Sequence, residues 1–263
     1  GECRMHATNS ILADRLCVPL RRAVLHVVLA LGPWLVPAPS QASVVIEATR
    51  VVYSAAVAQR EVRISNEDDF PNLIQVWVDS GDPESRPDAH DERFFITPPV
   101  FRMEPKSGQS LRLRYLENDL PKDRESLFYL NVLQVPPVSS DQQDNNKVLV
   151  MIRNRLKLFY RPETIHADPA TAGDAIEFQI QKRDLGYVLV ASNPSPFFIT
   201  LTGLKLSSET ADYTVDSRMV APFARQMWMV DDPEVTDQGE ISIRYQWIDD
   251  YGAGRPRTAN VQR

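Results

Sequence analysis

Short extended segments, each closed off by turn residues, dominate the chain from residue 44 onward. No long stretch repeats its apolar residues at helical spacing. Segments such as "QVWVD" (75–79) and "RLRYL" (112–116) alternate apolar and polar side chains and are rich in β-branched and aromatic residues, the pattern of half-buried strands. The spacing predicts strands over 44–53, 61–65, 73–78, 94–97, 100–103, 110–115, 127–135 and 148–160, separated by loops such as "NEDDFPN" and "EPKSGQ". A run of this kind over 43–162 suggests an immunoglobulin-like sandwich. The polar, proline-containing stretch "ETIHADPATAGD" then suits an interdomain linker. Strands resume at 176–181, 186–192, 197–206, 223–230 and 240–248. The expectation is an all-β chain of two β-domains in series, 43–162 and 163–263.

Residues 1–42 are of another kind. Arg15, Arg21 and Arg22 precede an apolar run from Ala23 to Val36, and "PAPSQAS" follows. A basic start, a short apolar core and small residues at a cleavage point make a secretory signal peptide. Cleavage is placed after Ala42 and initiation at Met5. The apolar run is too short, and too interrupted by His26, Gly32 and Pro33, to span a membrane well. Both cysteines, Cys3 and Cys17, fall in this segment, so the exported chain must be stable without a disulfide and needs a sizeable core. Of the 29 Lys+Arg and 35 Asp+Glu in the chain, the segment holds four and two, leaving 25 against 33, a net −8. So acidic a chain is a poor nucleic-acid binder. No second apolar segment approaches membrane-spanning length, so no membrane insertion is expected.

Catalytic machinery is not apparent. The exported chain keeps two histidines, His90 in an acidic loop and His166 in the linker, neither on a rigid element beside partners. G-x-S-x-G, H-E-x-x-H and G-x-G-x-x-G are missing, and "GAG" at 252–254 reads as a turn. The acidic run "DPESRPDAHDE" (82–92) fits no calcium-loop spacing and reads as a solvated loop. The expectation is a protein that is not an enzyme, with no metal and no cofactor.

The stretch "VLVMIRNRLKLFYRP" (148–162) is the exception to clean alternation. Val148 to Ile152 are apolar at every position, and Arg153, Arg155 and Lys157 then bring in positive charge. Residues 148, 150 and 152 share one face, and 149, 151, 153, 155 and 157 share the other. The cations could line a solvent face and discourage aggregation. Alternatively, an edge strand apolar on both faces at its start could pack one on its own core and lend the other to a partner. A cation farther along would then catch a carboxylate.

One long block decides between these. "LPKDRESLFYLNVLQVPP" (120–137), with Pro121, Glu125, Ser126, Asn131, Pro136 and Pro137 as anchors, resembles the signature of the PapD-like periplasmic pilus chaperones of the chaperone–usher pathway. "ATRVVY", "TPPVFRMEP", "KLFYRP", "NPSPFFITLTGL", "MVAPFARQ" and "DDYGAGRP" are similar to family blocks in the expected order, covering nearly all of the chain after residue 42. The resemblance implies two immunoglobulin-like β-sandwich domains in an angled, boomerang-like arrangement around a cleft. It implies that Arg50 and Lys157 anchor the terminal carboxylate of a pilus subunit, and that Val148, Val150 and Ile152 lend the strand the subunit lacks. It implies an interdomain ionic network of Glu125, Arg161 and Asp250. Asp249 stands where many relatives have Asn, which adds a charge beside Asp250. Arg153 and Arg155 make the lent strand more basic than usual and receive no specific role.

The function implied is a periplasmic chaperone that binds and stabilises pilus or fimbrial subunits by donor-strand complementation and delivers them to an outer-membrane usher. An uncovered apolar edge also favours a self-capping dimer of the free protein. A structural or adhesive pilus subunit is the competing reading, but it should show one domain, usually a disulfide, and an N-terminal donor extension. A secreted β-sandwich enzyme or sugar-binding protein would need a site, and none is evident.

Overall fold

The computed structural model describes residues 43–116, 119–137, 149–184, 186–209, 211–230 and 239–263. The proposed leader therefore lies outside the described residues. Among the described residues, seventeen strands form four sheets, and the only helical elements are two short 3₁₀ turns, Pro87–Ala89 and Ala172–Ala175. No helix among the described residues is long and apolar enough to cross a membrane.

The first half contains β1 (Val44–Ile46), β2 (Arg50–Ser54), β3 (Arg60–Asn66), β4 (Asn72–Asp79), β5 (Phe94–Thr97), β6 (Val100–Met103), β7 (Gly108–Tyr115), β8 (Ser126–Val135) and β9 (Ile152–Arg161). One sheet runs β1-β3-β7-β5 and the other β2-β9-β8-β4-β6. Alternate residues from both fill one core, among them Ile64, Ile74, Leu111, Leu113, Leu130 and Leu158. The second half adds β10 (Glu177–Arg183), β11 (Gly186–Ser192), β12 (Ile199–Ser207), β13 (Asp212–Val215), β14 (Arg218–Val220), β15 (Arg225–Val230), β16 (Ser242–Ile248) and β17 (Gly254–Asn260). Here β10-β11-β15 faces β13-β12-β16-β17, with β14 also on β12, around a second core that includes Phe178, Leu189, Leu201, Leu206 and Ile243. Two separate cores follow from the two sets of inward-facing residues.

Three departures from the sequence pattern have clear causes. The segment 44–53 is not one strand. β1 pairs antiparallel with β3, the chain leaves that sheet over Glu47–Thr49, and β2 pairs parallel with β9 in the opposite sheet. β12 carries a bulge between Thr202 and Lys205, where Gly203 takes φ +58. β17 escaped prediction because its side chains are almost all exposed. The backbone ladder to β16 defines it, from Ser242↔Asn260 to Ile248↔Gly254.

The turn between β16 and β17 touches the sheet switch of the first half. Gly252 adopts φ +85, and a Cβ built on it would lie 2.1 Å from Thr49 Oγ1. Both the backbone conformation and the close approach therefore require glycine. Gly252→Ala is expected to lower the free energy of unfolding by about 2–3 kcal/mol, read from denaturant midpoints. An unchanged midpoint would show that this contact yields freely.

Candidate functional site

β9 organises the site because its two faces have different fates. Leu156, Leu158 and Tyr160 point into the first core and are buried. Arg153, Arg155, Lys157, Phe159 and Arg161 share the opposite face. Along one edge β9 pairs with β8 over all but its last residue, from Gln134↔Ile152 to Ser126↔Tyr160. Along the other, β2 covers only Lys157 to Arg161, starting at Arg50↔Lys157. No described strand pairs with that edge over 152–156. It opens there onto a shallow groove lined by Val44, Ile46, Ala48, Asn154, Arg155 and Leu156.

The parallel register sets Arg50 directly beside Lys157. Their hydrogen bonds go to neutral acceptors on the second half: Arg50 Nη1 donates to the Ile248 carbonyl at 3.1 Å, and Lys157 Nζ to Thr200 Oγ1 at 3.1 Å. Neither makes an ion pair among the described residues, and Arg50 Nε is buried without a partner. Burial pushes Lys157 below the usual lysine range, and the charge of Arg50 pushes it further. Burial also lowers Arg50, against the pull of Asp250, Asp249 and Glu125. Two like charges are thus held together, partly out of water, with no carboxylate in ion-pair contact among the described residues.

Arg161 is answered from both halves. Its Nε donates to Glu125 Oε1 at 2.8 Å, and its Nη atoms donate to Asp250 at 2.7 and 2.8 Å. Its guanidinium also lies over the Phe197 ring, 4.8 Å from the centroid. Glu125 further accepts the Phe198 N–H at 2.9 Å, while its own N–H donates to the Pro196 carbonyl at 2.9 Å. Burial opposes the Arg161 charge but is outweighed by Asp250 and Glu125, which raise its pKa. Burial pushes the Glu125 carboxyl above the usual range, with Arg161 and the Phe198 N–H pulling the other way. Asp249 takes no part in these bonds. It binds Arg255 Nε at 2.8 Å and accepts the N–H groups of Tyr251 and Ala253, which shapes the turn that presents Asp250.

Two cations without a role in the sequence acquire partners. Arg155 makes a two-pronged bond to Asp79, at 2.6 and 3.1 Å, and stacks on Tyr129 with 3.6 Å to the ring centroid. Asp79 is almost fully buried and also accepts the Asn131 amide at 2.7 Å. Burial alone would raise the Asp79 carboxyl, but hydrogen bonds from Arg155, Asn131 and the Gly81 N–H hold it below its ordinary value. Arg153 donates to the carbonyls of Ser85 (3.0 Å) and Pro83. Nothing in local spacing joins 79 to 155. Their pairing requires β4, β8 and β9 to be neighbours.

Just before and at the start of β9, Val150 is 66% and Ile152 45% exposed, though both have the parity of Leu156 and Leu158, which point into the core. Leu149 and Met151 are also exposed, at 47% and 55%. The expectation that one face of this segment packs on its own core is therefore wrong, because the side chains of both parities over 149–152 are exposed. The strand itself begins at Ile152, not at 148. Val148 lies outside the described residues.

His90 and His166 are both exposed, and His90 Nδ1 lies 3.1 Å from the Pro87 carbonyl. No cluster of three or more His, Cys, Asp or Glu suited to a metal occurs among the described residues.

Comparison with known proteins fits this geometry. The model of the PapD N-terminal domain of pili and flagellar-assembly chaperones matches residues 43–166, and that of the pili assembly chaperone PapD C-terminal domain matches 171–259. The chain is 38% identical over 226 residues to the chaperone protein FimB/FhaD of Bordetella pertussis, covering 84% of this chain and 89% of that protein. It is 34% identical over 227 residues to the chaperone protein HifB of Haemophilus influenzae, covering 85% and 90%. Among solved structures, the YadV chaperone aligns with TM-score 0.69 and 31% identity over 83% of this chain and all (100%) of that one. The periplasmic chaperone SfaE aligns with TM-score 0.63 and 31% identity, covering 84% and 100%. The SafB chaperone complex with SafA pilin from Salmonella enterica aligns with TM-score 0.64 and 25% identity, covering 85% and 98%.

Two outcomes are expected for the free protein. Replacing Lys157 with Met, which keeps the apolar stem and removes a charge whose hydrogen bond goes only to the neutral Thr200 hydroxyl, should stabilise the fold by about 1 kcal/mol in equilibrium unfolding; a loss of stability would mean the charge is satisfied internally. Asp79, held below its ordinary carboxylate value, contributes stability that is complete above that value and is lost as pH falls below it toward the folded-state value. Asp79→Asn should cost about 2 kcal/mol at neutral pH and flatten the acid limb of the stability–pH curve. An acid limb of unchanged slope would assign acid sensitivity elsewhere.

Proposed function

The chain belongs to the PapD family of pilus-assembly chaperones, and on that footing we propose that it is an exported, periplasmic, non-enzymatic protein that holds a pilus or fimbrial subunit by lending it a strand and passes it to an outer-membrane usher. The observation that carries this reading is the combination along β9. Two adjacent cations that make no ion pair among the described residues sit where β2 begins, and upstream of them on β9 lie an uncovered strand edge and exposed apolar side chains. A subunit strand added along that edge would find unpaired backbone groups over 152–156. Val150 and Ile152, with Val148 before them, would enter the subunit core, each contributing about 1.5–3 kcal/mol before the costs of association.

The subunit's terminal carboxylate would then reach Arg50 and Lys157. Bonds to both would relieve the mutual repulsion and the lost hydration together. This fixes register, because side chains alternate and a one-residue slip would turn the apolar set outward. The network of Glu125, Arg161 and Asp250 supports a different role, holding the second half against the first. Export is supported by the leader-like composition of residues 1–42, with cleavage after Ala42, and the SfaE relative is itself described as periplasmic. A subunit partner is supported by the SafB structure, which holds a pilin. Two domains, with limits at 43–162 and 163–263, are supported by two separate family matches, over 43–166 and 171–259.

The test is co-expression with a fimbrial subunit encoded beside this chain, followed by purification through a tag on the subunit. The expected product is a one-to-one complex. Lys157→Ala or Arg50→Ala should weaken it by about 2–4 kcal/mol, roughly 30- to 700-fold, while the variant stays folded. Val150→Glu should weaken it independently. Normal retention of both cation variants would remove the anchor assignment, and failure of the unmodified chain to bind would remove the chaperone reading for that subunit.

A further inference from the structure

Ser43 lies in a polar cluster remote from the cations of the cleft. Its hydroxyl donates to Asp68 Oδ2 and accepts from Gln134 Nε2. Asp68 Oδ2 also accepts from the Asn72 amide at 2.8 Å and from Gln134 Nε2 at 3.2 Å. Asn72 and Gln134 are 0% and 4% exposed, and they are joined by a 3.1 Å bond from Gln134 Nε2 to Asn72 Oδ1. Asn72 donates onward to Asn66 Oδ1 at 3.0 Å, and the Glu67 N–H holds the Ser43 carbonyl at 2.8 Å.

Two groups in this cluster lack a counterpart. Asp68 makes no ion pair among the described residues; Lys106, from the same region, is engaged by Asp69 at 3.2 Å and by the Glu67 carbonyl. Gln134 Oε1 is buried with no hydrogen-bond partner, although the nitrogen of the same amide points into the cluster. A carboxylate without a cation beside an orphaned buried acceptor is complementary to a small cation with several N–H donors.

We propose that this cluster is the docking site for the α-ammonium group of Ser43 itself, created when the leader is removed after Ala42. The inference rests on the export reading given above. Covalent geometry supplies the reach. Three bonds separate the Ser43 nitrogen from its Oγ, so at any rotamer the nitrogen lies within about 4 Å of the hydroxyl and about 6 Å of the Asp68 oxygen that the hydroxyl touches. Before cleavage that nitrogen is a neutral amide with one N–H. Afterwards it carries a positive charge and three N–H groups, which suit the carboxylate of Asp68. The docked terminus joins β1, the 67–72 loop and the end of β8. Gln134 pairs with Ile152 at the start of β9, so processing would tighten the sandwich beside the strand edge proposed to receive a subunit.

The test begins by exporting the full chain with its own leader and measuring the mass of the product. The expected first residue is Ser43; any other would overturn both this proposal and the stated cleavage point. The α-amine of the purified protein is then acylated at neutral pH with an N-hydroxysuccinimide ester, beside the lysine-free peptide SVVIEATR. A nearby carboxylate that raises the amine's pKa by about one unit cuts its reactive free-base fraction about tenfold. The folded protein should therefore react about tenfold more slowly than the peptide, and Asp68→Asn should restore the peptide rate. A chain prepared with Ala42 still attached should show a lower denaturant midpoint than the chain that begins at Ser43, a comparison that does not need the variant to fold. A product that begins at Ser43 but acylates at the peptide rate, or whose midpoint ignores the added alanine, would overturn the docking and leave the export reading standing.

Discussion

The parallel pairing of β2 with the second half of β9 is the constraint on which the functional geometry depends. Every other ladder between named strands is antiparallel, and this one exists because the chain changes sheets over Glu47–Thr49. Its register puts Arg50 against Lys157. Its limited length leaves the edge of β9 uncovered over 152–156 among the described strands. The same sheet switch meets the second half, where Gly252 sits against Thr49 and Arg50 donates to the Ile248 carbonyl. One backbone event thus places the charge pair, the open edge and a contact with the second half together.

The alternate residues of β9 then separate two uses of positive charge. Arg155 and Arg161 are answered within the chain, by Asp79 and by Glu125 with Asp250. Each pair spans elements far apart in sequence, so satisfying the cation also holds strands or halves together. Lys157 and Arg50 are set among neutral acceptors, and burial lowers both. A group that is poorly satisfied in the free protein gains most from an anion supplied by a partner, which is why Arg50 and Lys157, and not the cations already in ion pairs, are proposed as the anchor. The proposed Ser43 cluster follows the same logic with the signs reversed. There an unanswered carboxylate and an orphaned acceptor point to a cation.

Apolar exposure has a similar division. Leu156 and Leu158 are buried, whereas Ile152 and Val150, of the same parity at and before the start of β9, are exposed. No change of residue type marks this transition.

Period-two alternation and turn residues were enough to read an all-β chain with two separate cores, because inward and outward positions on a strand differ in polarity. The long block at 120–137, with its neighbours, also carried the family resemblance and brought Arg50, Lys157, Glu125, Arg161 and Asp250 to attention. Short or exposed strands such as β13, β14 and β17 were invisible, since backbone ladders hold them and their side chains carry little periodic signal. The sheet switch within 44–53 was equally hidden, because alternation reports which way a side chain points and not which sheet receives the backbone. The bonds of Arg155 to Asp79 and of Ser43 to Asp68 and Gln134 required the tertiary structure for the same reason. Sequence alone determined the types of residue available to bury, pair or expose. Which cations found a carboxylate, and which were left beside an open edge, was decided only when strands distant in the chain became neighbours.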